Sequence, residues 1–226
     1  DHPCYPATGD KARFEVDAEF GGVAFTRSYH SVRQATMKPA FAPGWVHTWS
    51  DRIVGARGDS RLTLVDDRGF LEVFQRDGWS WTYISRTRPG RRIDASTADF
   101  VLREASATRI YSANGRLREV RPDGPLATLT MAYDGERLST VTDATGRVLR
   151  LTYNGNRLSG VMLPDGATVA YRYDAAGNLV GATGPDGGER VYHYNEPTLN
   201  AGGDRHALTG ITAPSGKRYA SFGYDS

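Results

Sequence analysis

Residues 149–174 read LRLTYNGNRLSGVMLPDGATVAYRYD. Leu149, Leu151 and Tyr153 alternate with Arg150 and Thr152, and Val169, Tyr171 and Tyr173 alternate with Ala170 and Arg172. Period two is the signature of a strand with one face packed and the other wetter. Between the two runs lies Pro164-Asp165-Gly166, in which proline presets φ at the first central turn position and glycine accepts positive φ. The tripeptide closes a hairpin. Segments of the type Tyr-Asp/Asn-x-x-Gly, such as Tyr173 to Gly177, supply the opposite turn by the same chemistry.

The pattern extends outward on both sides. Tyr133, Tyr153, Tyr173, Tyr194 and Tyr224 recur at a period of about twenty residues, the mark of repeated supersecondary units. After each tyrosine comes a leucine (Leu138, Leu158, Leu179, Leu208). Three residues later stands a small or β-branched apolar residue (Val141, Val161, Ala182, Ile211), and eight after the leucine a glycine (Gly146, Gly166, Gly187, Gly216). A degenerate copy, Tyr111, Leu117, Val120 and Gly124, precedes them. The last unit is lengthened by Glu196 to Ala207, which reads as a surface loop. One unit is two strands and two turns, so successive units predict an antiparallel meander. The leucine-to-valine step of three breaks strict alternation and predicts a bulge that bends the sheet in the same sense each time. Tyrosine suits such a ladder, because its ring buries a large area while its hydroxyl finds a partner.

Composition fits a β-repeat chain, with 26 glycines and 11 prolines in 226 residues, and no long amphipathic helix can be placed in the sequence. No apolar run is long enough for a membrane-spanning helix. The net charge of +2 is near neutral and argues against a nucleic-acid surface, and the run Arg86, Arg88, Arg91, Arg92 reads as a solvated loop. Cys4 is the only cysteine, so no internal disulfide holds the fold. With no signal peptide visible at Asp1, the chain reads as a piece of something longer.

The N-terminal half is organised differently. Strand-like stretches at 12–18 and 23–29 flank Gly21-Gly22, and further strands are expected at 61–65, 70–75 and 79–84. Phe41, Trp45, His47 and Trp49 cluster around Pro43-Gly44, and Trp79 and Trp81 follow, which predicts an aromatic-rich cap. A cap answers a physical need, since a terminal repeat leaves an unpaired edge and an apolar face.

The unit Tyr-Asp-x-x-Gly-x-Leu-x-x-Val-x-x-x-x-Gly resembles the YD repeat of Rhs proteins, the large bacterial polymorphic toxins and their relatives. Residues 3–11, 25–31 and 44–49 resemble the segment that opens the Rhs core. The resemblance implies an all-β, curved, shell-like sheet with a core-opening and cap region over 1–105 and a YD-repeat array over 106–226. It implies a shell that encloses a C-terminal toxin, as a secreted or delivered protein whose partners are the rest of the shell, the toxin cargo, and a secretion spike or chaperone. It also implies self-cleavage near Pro3: Pro3, Cys4, Gly9 and Asp10 stand where relatives carry a Pro-Val-x-x-x-x-Gly-Glu motif, with Cys for Val and Asp for Glu. Cys4 as nucleophile with Asp10 as acid/base is one reading, and Cys4 as filler of an apolar valine site is the other.

No other catalytic motif is present, and the histidines lack metal-ligand spacing, so no cofactor and no metal are expected. Asp66-Asp67, Asp134 and Asp174 read as turn formers. Three functions from different classes follow: a non-enzymatic shell segment, a glycan-binding module using the tyrosines and tryptophans, and an autoprotease.

Overall fold

The computed structural model describes residues 4–5, 9–33 and 41–225. Among these the chain is all-β, with one 3-10 turn at Ser31–Arg33 and no α-helix. It divides into two compact units, one of Asp1–Ala18, Ala24–His47 and Arg150–Ser226, the other of Glu19–Val23 and Thr48–Leu149.

In the first unit, β1 (Cys4–Tyr5), β2 (Asp10–Phe20), β3 (Val23–His30) and β4 (Trp45–His47) form a four-stranded antiparallel sheet. The same unit holds a meander of β15 (Val148–Asn154), β16 (Arg157–Met162), β17 (Thr168–Tyr173), β18 (Leu179–Thr183), β19 (Glu189–Tyr194), β20 (Leu208–Thr212) and β21 (Arg218–Ser221). Each of these strands pairs antiparallel with the next.

The second unit is a meander of β5 (Arg52–Val54), β6 (Arg61–Val65), β7 (Leu71–Arg76), β8 (Thr82–Ser85), β9 (Arg92–Asp94), β10 (Phe100–Arg103), β11 (Ala107–Tyr111), β12 (Leu117–Pro122), β13 (Leu129–Asp134) and β14 (Arg137–Asp143). The turn before β12 reaches back to the first of these strands, where Ile53 N donates to Gly115 O at 2.8 Å.

Local chemistry explains the hairpins. At the Pro164-Asp165-Gly166 turn, Gly166 N donates to Leu163 O (3.0 Å) and Leu163 N to Ala167 O (2.8 Å), with Gly166 at φ +87°. A Cβ on Gly166 would meet nothing within 4 Å, so the positive φ alone demands glycine there. The Asp165 carboxylate accepts from Ala167 N at 2.9 Å and fixes the turn from outside. At the other end of a unit, Asp174 Oδ1 accepts from Asn178 N at 2.8 Å, the turn-forming role expected of it.

The predicted bulges are present. Register shifts by one residue between Thr152 and Tyr153, where Thr152 faces Gly160 and Tyr153 faces Leu158, leaving Ser159 extra. The same shift occurs at Ala132/Tyr133, Arg172/Tyr173 and His193/Tyr194, and in the degenerate unit at Ile110/Tyr111. The extra residue restores inward facing after a step of three, so Leu158 and Val161 are both buried although alternation alone would put them on opposite faces. Leu138 with Val141, Leu179 with Ala182 and Leu208 with Ile211 follow suit.

Two of the four tryptophans depart from the expected aromatic cap. Trp79 and Trp81 lie in the turn joining β7 to β8, and β8 begins at Thr82 rather than at 79. Trp79 is 95% exposed, and Trp81 is covered by the Arg57 and Arg76 guanidiniums at 4.0 and 4.6 Å from the ring centroid. Alternate aromatics imitate strand parity here. Gly78 at φ +55° and the bond from Asp77 N to Thr82 O turn the chain before a strand can start. Trp45 and Trp49 are buried, the latter at φ +68°, a region that bulky residues seldom occupy.

Candidate functional site

The repeat tyrosines are half-buried, and their hydroxyls tie one unit to the previous one. Tyr133 donates to Leu117 O at 2.8 Å, Tyr173 to Leu158 O at 2.6 Å and Tyr224 to Leu208 O at 3.0 Å. In each case the acceptor is the leucine that holds the same repeat position in the unit before. A ring that packs and a hydroxyl that satisfies a carbonyl thus come from one side chain. Burial pushes the Tyr173 and Tyr224 hydroxyls above their ordinary range, so they stay protonated donors. Tyr194 differs: its oxygen accepts from Trp45 Nε1 at 2.9 Å. Tyr111 differs too, donating to Asp51 Oδ2 at 2.6 Å.

Another buried column lies two residues before each tyrosine: Met131, Leu151, Tyr171, Tyr192 and Phe222 are all buried. In the first unit this column meets a buried arginine from β3. Arg27 Nε and Nη2 hold both oxygens of Asp17 on β2, at 2.5 and 2.8 Å, and Nη2 also reaches the Tyr192 hydroxyl at 2.8 Å. Tyr171 donates to the same Asp17 at 2.7 Å. The Arg27 guanidinium carbon lies 5.2 Å from the Trp45 ring, 5.4 Å from Tyr171 and 5.2 Å from Tyr192. Its Nη1 has no hydrogen-bond partner, and the guanidinium as a whole lies among those rings.

Burial alone would lower the Arg27 pKa, yet Tyr192 and Asp17 hold it well above the ordinary value. Burial raises Tyr192 to about 12, partly offset by Arg27, and raises Tyr171 well above its ordinary value, with Asp17 adding to it. Arg27 therefore remains a cation and both tyrosines remain neutral.

Further links join the N-terminal strands to the repeats. Tyr29 accepts from Leu208 N at 3.0 Å and donates to His206 O at 3.2 Å, and Tyr219 donates to Glu15 at 3.0 Å. Phe41 packs edge-on against Tyr171, with ring centroids 4.8 Å apart. Alternation exposed the parity of Tyr171 and Tyr192, but the Asp17–Arg27 pair carried no sequence signal. Both are ordinary strand charges until tertiary structure buries them.

The glycine column, Gly146, Gly166, Gly187 and Gly216, sits entirely in positive-φ turns. In the lengthened last unit, Glu196 leaves the loop to take Arg218 at 2.8 and 2.6 Å and Thr209 at 2.7 Å.

Of the expected cleavage residues, Pro3 and the Cys4 side chain lie outside the described residues. The Cys4 backbone pairs with Lys11, and Gly9 is exposed at φ +67°. Asp10 is buried, with Oδ2 2.5 Å from His30 Nδ1 and Oδ1 accepting from Ser31 Oγ at 3.3 Å, so its carboxylate is already engaged. His47 packs against Phe25 and Phe41, and His193 Nε2 lies 2.8 Å from Thr212 Oγ1. Among the described residues no group of three or more His, Cys, Asp or Glu is placed to hold a metal ion.

A meander of bulged hairpins, pinned unit to unit by tyrosine hydroxyls and faced by a sheet locked through a buried arginine, defines a β-repeat scaffold protein. Residues 154–189 match the family described as RHS Repeat, and residues 1–74 match a domain of unknown function, DUF6531. The RHS Repeat match over residues 154–189 supports an Rhs/YD-repeat protein. Among solved structures it is similar to the pore of the Photorhabdus luminescens Tc holotoxin with a mutation in TccC3, at 14% identity and a TM-score of 0.30. That alignment covers 94% of this chain and 14% of the other. No curated protein matches the chain.

Proposed function

We propose that this chain is a structural segment of an Rhs shell that encloses a C-terminal toxin, acting through shape and closure and performing no chemistry of its own. The observation that carries the reading is the recurring pin from tyrosine to the preceding leucine carbonyl, at Tyr133, Tyr173 and Tyr224. It spends the polar ends of the repeat residues on the wall itself. Residues 1–105 serve as the opening and cap of the core and 106–226 as the repeat array. The partners are the rest of the shell, the toxin cargo, and the spike or chaperone that delivers it. The protein is secreted or delivered by a bacterial secretion system.

The test is protease protection in the longer protein that carries this segment with its downstream domain. The downstream domain should survive trypsin in the intact protein and be cut rapidly once Arg27→Asp loosens the wall. Digestion of that domain as fast in the intact protein as when it is expressed alone would overturn the proposal.

A further inference from the structure

The arginine run Arg86, Arg88, Arg91, Arg92 is divided by the fold of the second unit. Arg91 turns to the buried Glu72 and to Glu104, and Arg88 lies 3.7 Å from Glu72. Arg86 and Arg92 stay exposed, Arg92 on the strand face opposite to the buried Ile93. That face carries a row running across the strands. Arg61 pairs with Gln75, Gln75 with Ile84, Ile84 with Arg92 and Arg92 with Arg103. All five are exposed, whereas the next residues along, Leu62, Phe74, Tyr83, Ile93 and Leu102, are buried. At the usual strand spacing the row is about 20 Å long. Arg92 and Arg103 stand directly opposite each other, where like charges repel. Neither forms an ion pair among the described residues, and nor do Arg61 and Arg86.

The exposed tryptophans adjoin this row. Trp81 precedes Ile84 by three residues, so the turn from β7 to β8 lies within about 10 Å of it. Trp79 is 95% exposed and Ile84 43%. The two guanidiniums over Trp81 bond to carbonyls and to no carboxylate: Arg57 to Ala95 O (2.7 Å) and Ser96 O (3.2 Å), Arg76 to Ser80 O (2.8 Å), Gly58 O (3.2 Å) and Trp79 O (3.4 Å). A carbonyl occupies the donors and leaves the charge. Of the acids nearby, Asp99 is taken by Arg118 at 2.9 Å, and Asp94 is held below its ordinary range by bonds from Ser96 and also by Arg103 and Arg92. Asp59, Asp77 and Asp94 stand against Arg57, Arg61, Arg76, Arg86, Arg92 and Arg103, which leaves the region positive. An acidic peptide is recognised through bidentate guanidinium forks, and those of Arg57 and Arg76 are already spent. A bilayer with anionic headgroups responds to charge alone, and an indole on an uncovered turn belongs at headgroup level.

We infer that this face of the second unit docks on an anionic phospholipid surface. Trp79 enters the headgroup region with Ile84 beside it, and Arg61, Arg92 and Arg103 lie on lipid phosphates. The inference does not depend on the shell function, whose test reads protease protection and involves no lipid.

The test is flotation of the longer protein that carries this segment with vesicles of equimolar phosphatidylcholine and phosphatidylglycerol, and with vesicles of phosphatidylcholine alone. Binding is expected to the anionic vesicles only, and to weaken as salt is raised. Arg92→Gln combined with Arg103→Gln should weaken it about thirtyfold, at roughly fivefold per surface charge. Trp79→Ala should remove the quenching of tryptophan fluorescence by lipids brominated near the headgroup. These side chains are exposed, so neither variant should lower the melting temperature, which separates loss of docking from loss of fold. No binding to anionic vesicles, equal binding to phosphatidylcholine alone, or binding and quenching unchanged in both variants overturns the inference. Tighter binding of poly-L-glutamate or of a single-stranded oligonucleotide than of the vesicles, lost in the double arginine variant, also overturns it and assigns the face to an acidic polypeptide or a nucleic acid.

Discussion

Replacing Arg27 by Met tests whether the N-terminal sheet is locked to the repeats by one buried cation. The substitution keeps the aliphatic volume and deletes two bonds to Asp17, one to Tyr192 and the stacking over Trp45, Tyr171 and Tyr192. The larger effect is on what remains. Asp17 is left with a side chain 2% exposed, one donor in Tyr171, and Arg190 no nearer than 3.6 Å. Removing one partner of a buried ion pair costs about 3–5 kcal/mol, because the other charge stays buried, and the longer ion pair to Arg190 puts Asp17 at the lower end of that range. The lost π contacts add about 0.5–2 kcal/mol at most, so the stranded carboxylate decides the outcome. The double variant Arg27→Met with Asp17→Asn removes the charge and should recover roughly 2–4 kcal/mol of the single-variant loss. Urea unfolding followed by tryptophan fluorescence reads both, since Trp45 adjoins the site. A single variant within about 1 kcal/mol of the parent, or a double variant no more stable than the single, refutes the locking role.

Three further variants test other contacts. Tyr173→Phe keeps the ring and deletes only the bond to Leu158 O, so it should cost about 0.5–1.5 kcal/mol; Tyr171→Phe, which removes a donor from a buried carboxylate, should cost about 1.5–3 kcal/mol in the same denaturation series. Glu196 is held down to about 2 by its bonds to Arg218 and Thr209, against 4.5 in its ordinary state. Its contribution to stability is therefore complete above about 4.5 and disappears as pH falls towards about 2, and Glu196→Gln should flatten that part of the melting-temperature profile while leaving the neutral region nearly level.

Much of the wall is readable along the chain because its causes are local. Pro164-Asp165-Gly166 makes its turn from its own backbone preferences, and the step from Leu158 to Val161 cannot place both side chains inside without one extra residue between them. The cap was harder to read. Trp79 and Trp81 share strand parity and aromatic character with buried residues, but the turn at Gly78 leaves one in solvent and puts arginines over the other. Sequence spacing also drew attention to Tyr173 and Tyr194, which are half-buried, while the buried Tyr171 and Tyr192 stand two positions earlier.

The candidate sites show the same division. Asp10 is legible as part of a motif, but its pairing with His30 joins positions twenty residues apart that no short pattern links. No motif links Arg92 to Arg103. They face each other only because β9 and β10 pair in this register, which alternation within either strand does not specify.

The sequence by itself determined the repeat, the strand parity, the turns and the bulges, since each depends on φ preferences and side-chain alternation within a few residues. Tertiary structure alone decided which charges lie inside. Arg27, Asp17 and Asp51 are unremarkable in one dimension, and only packing from distant strands removes their water and leaves protein groups to replace it.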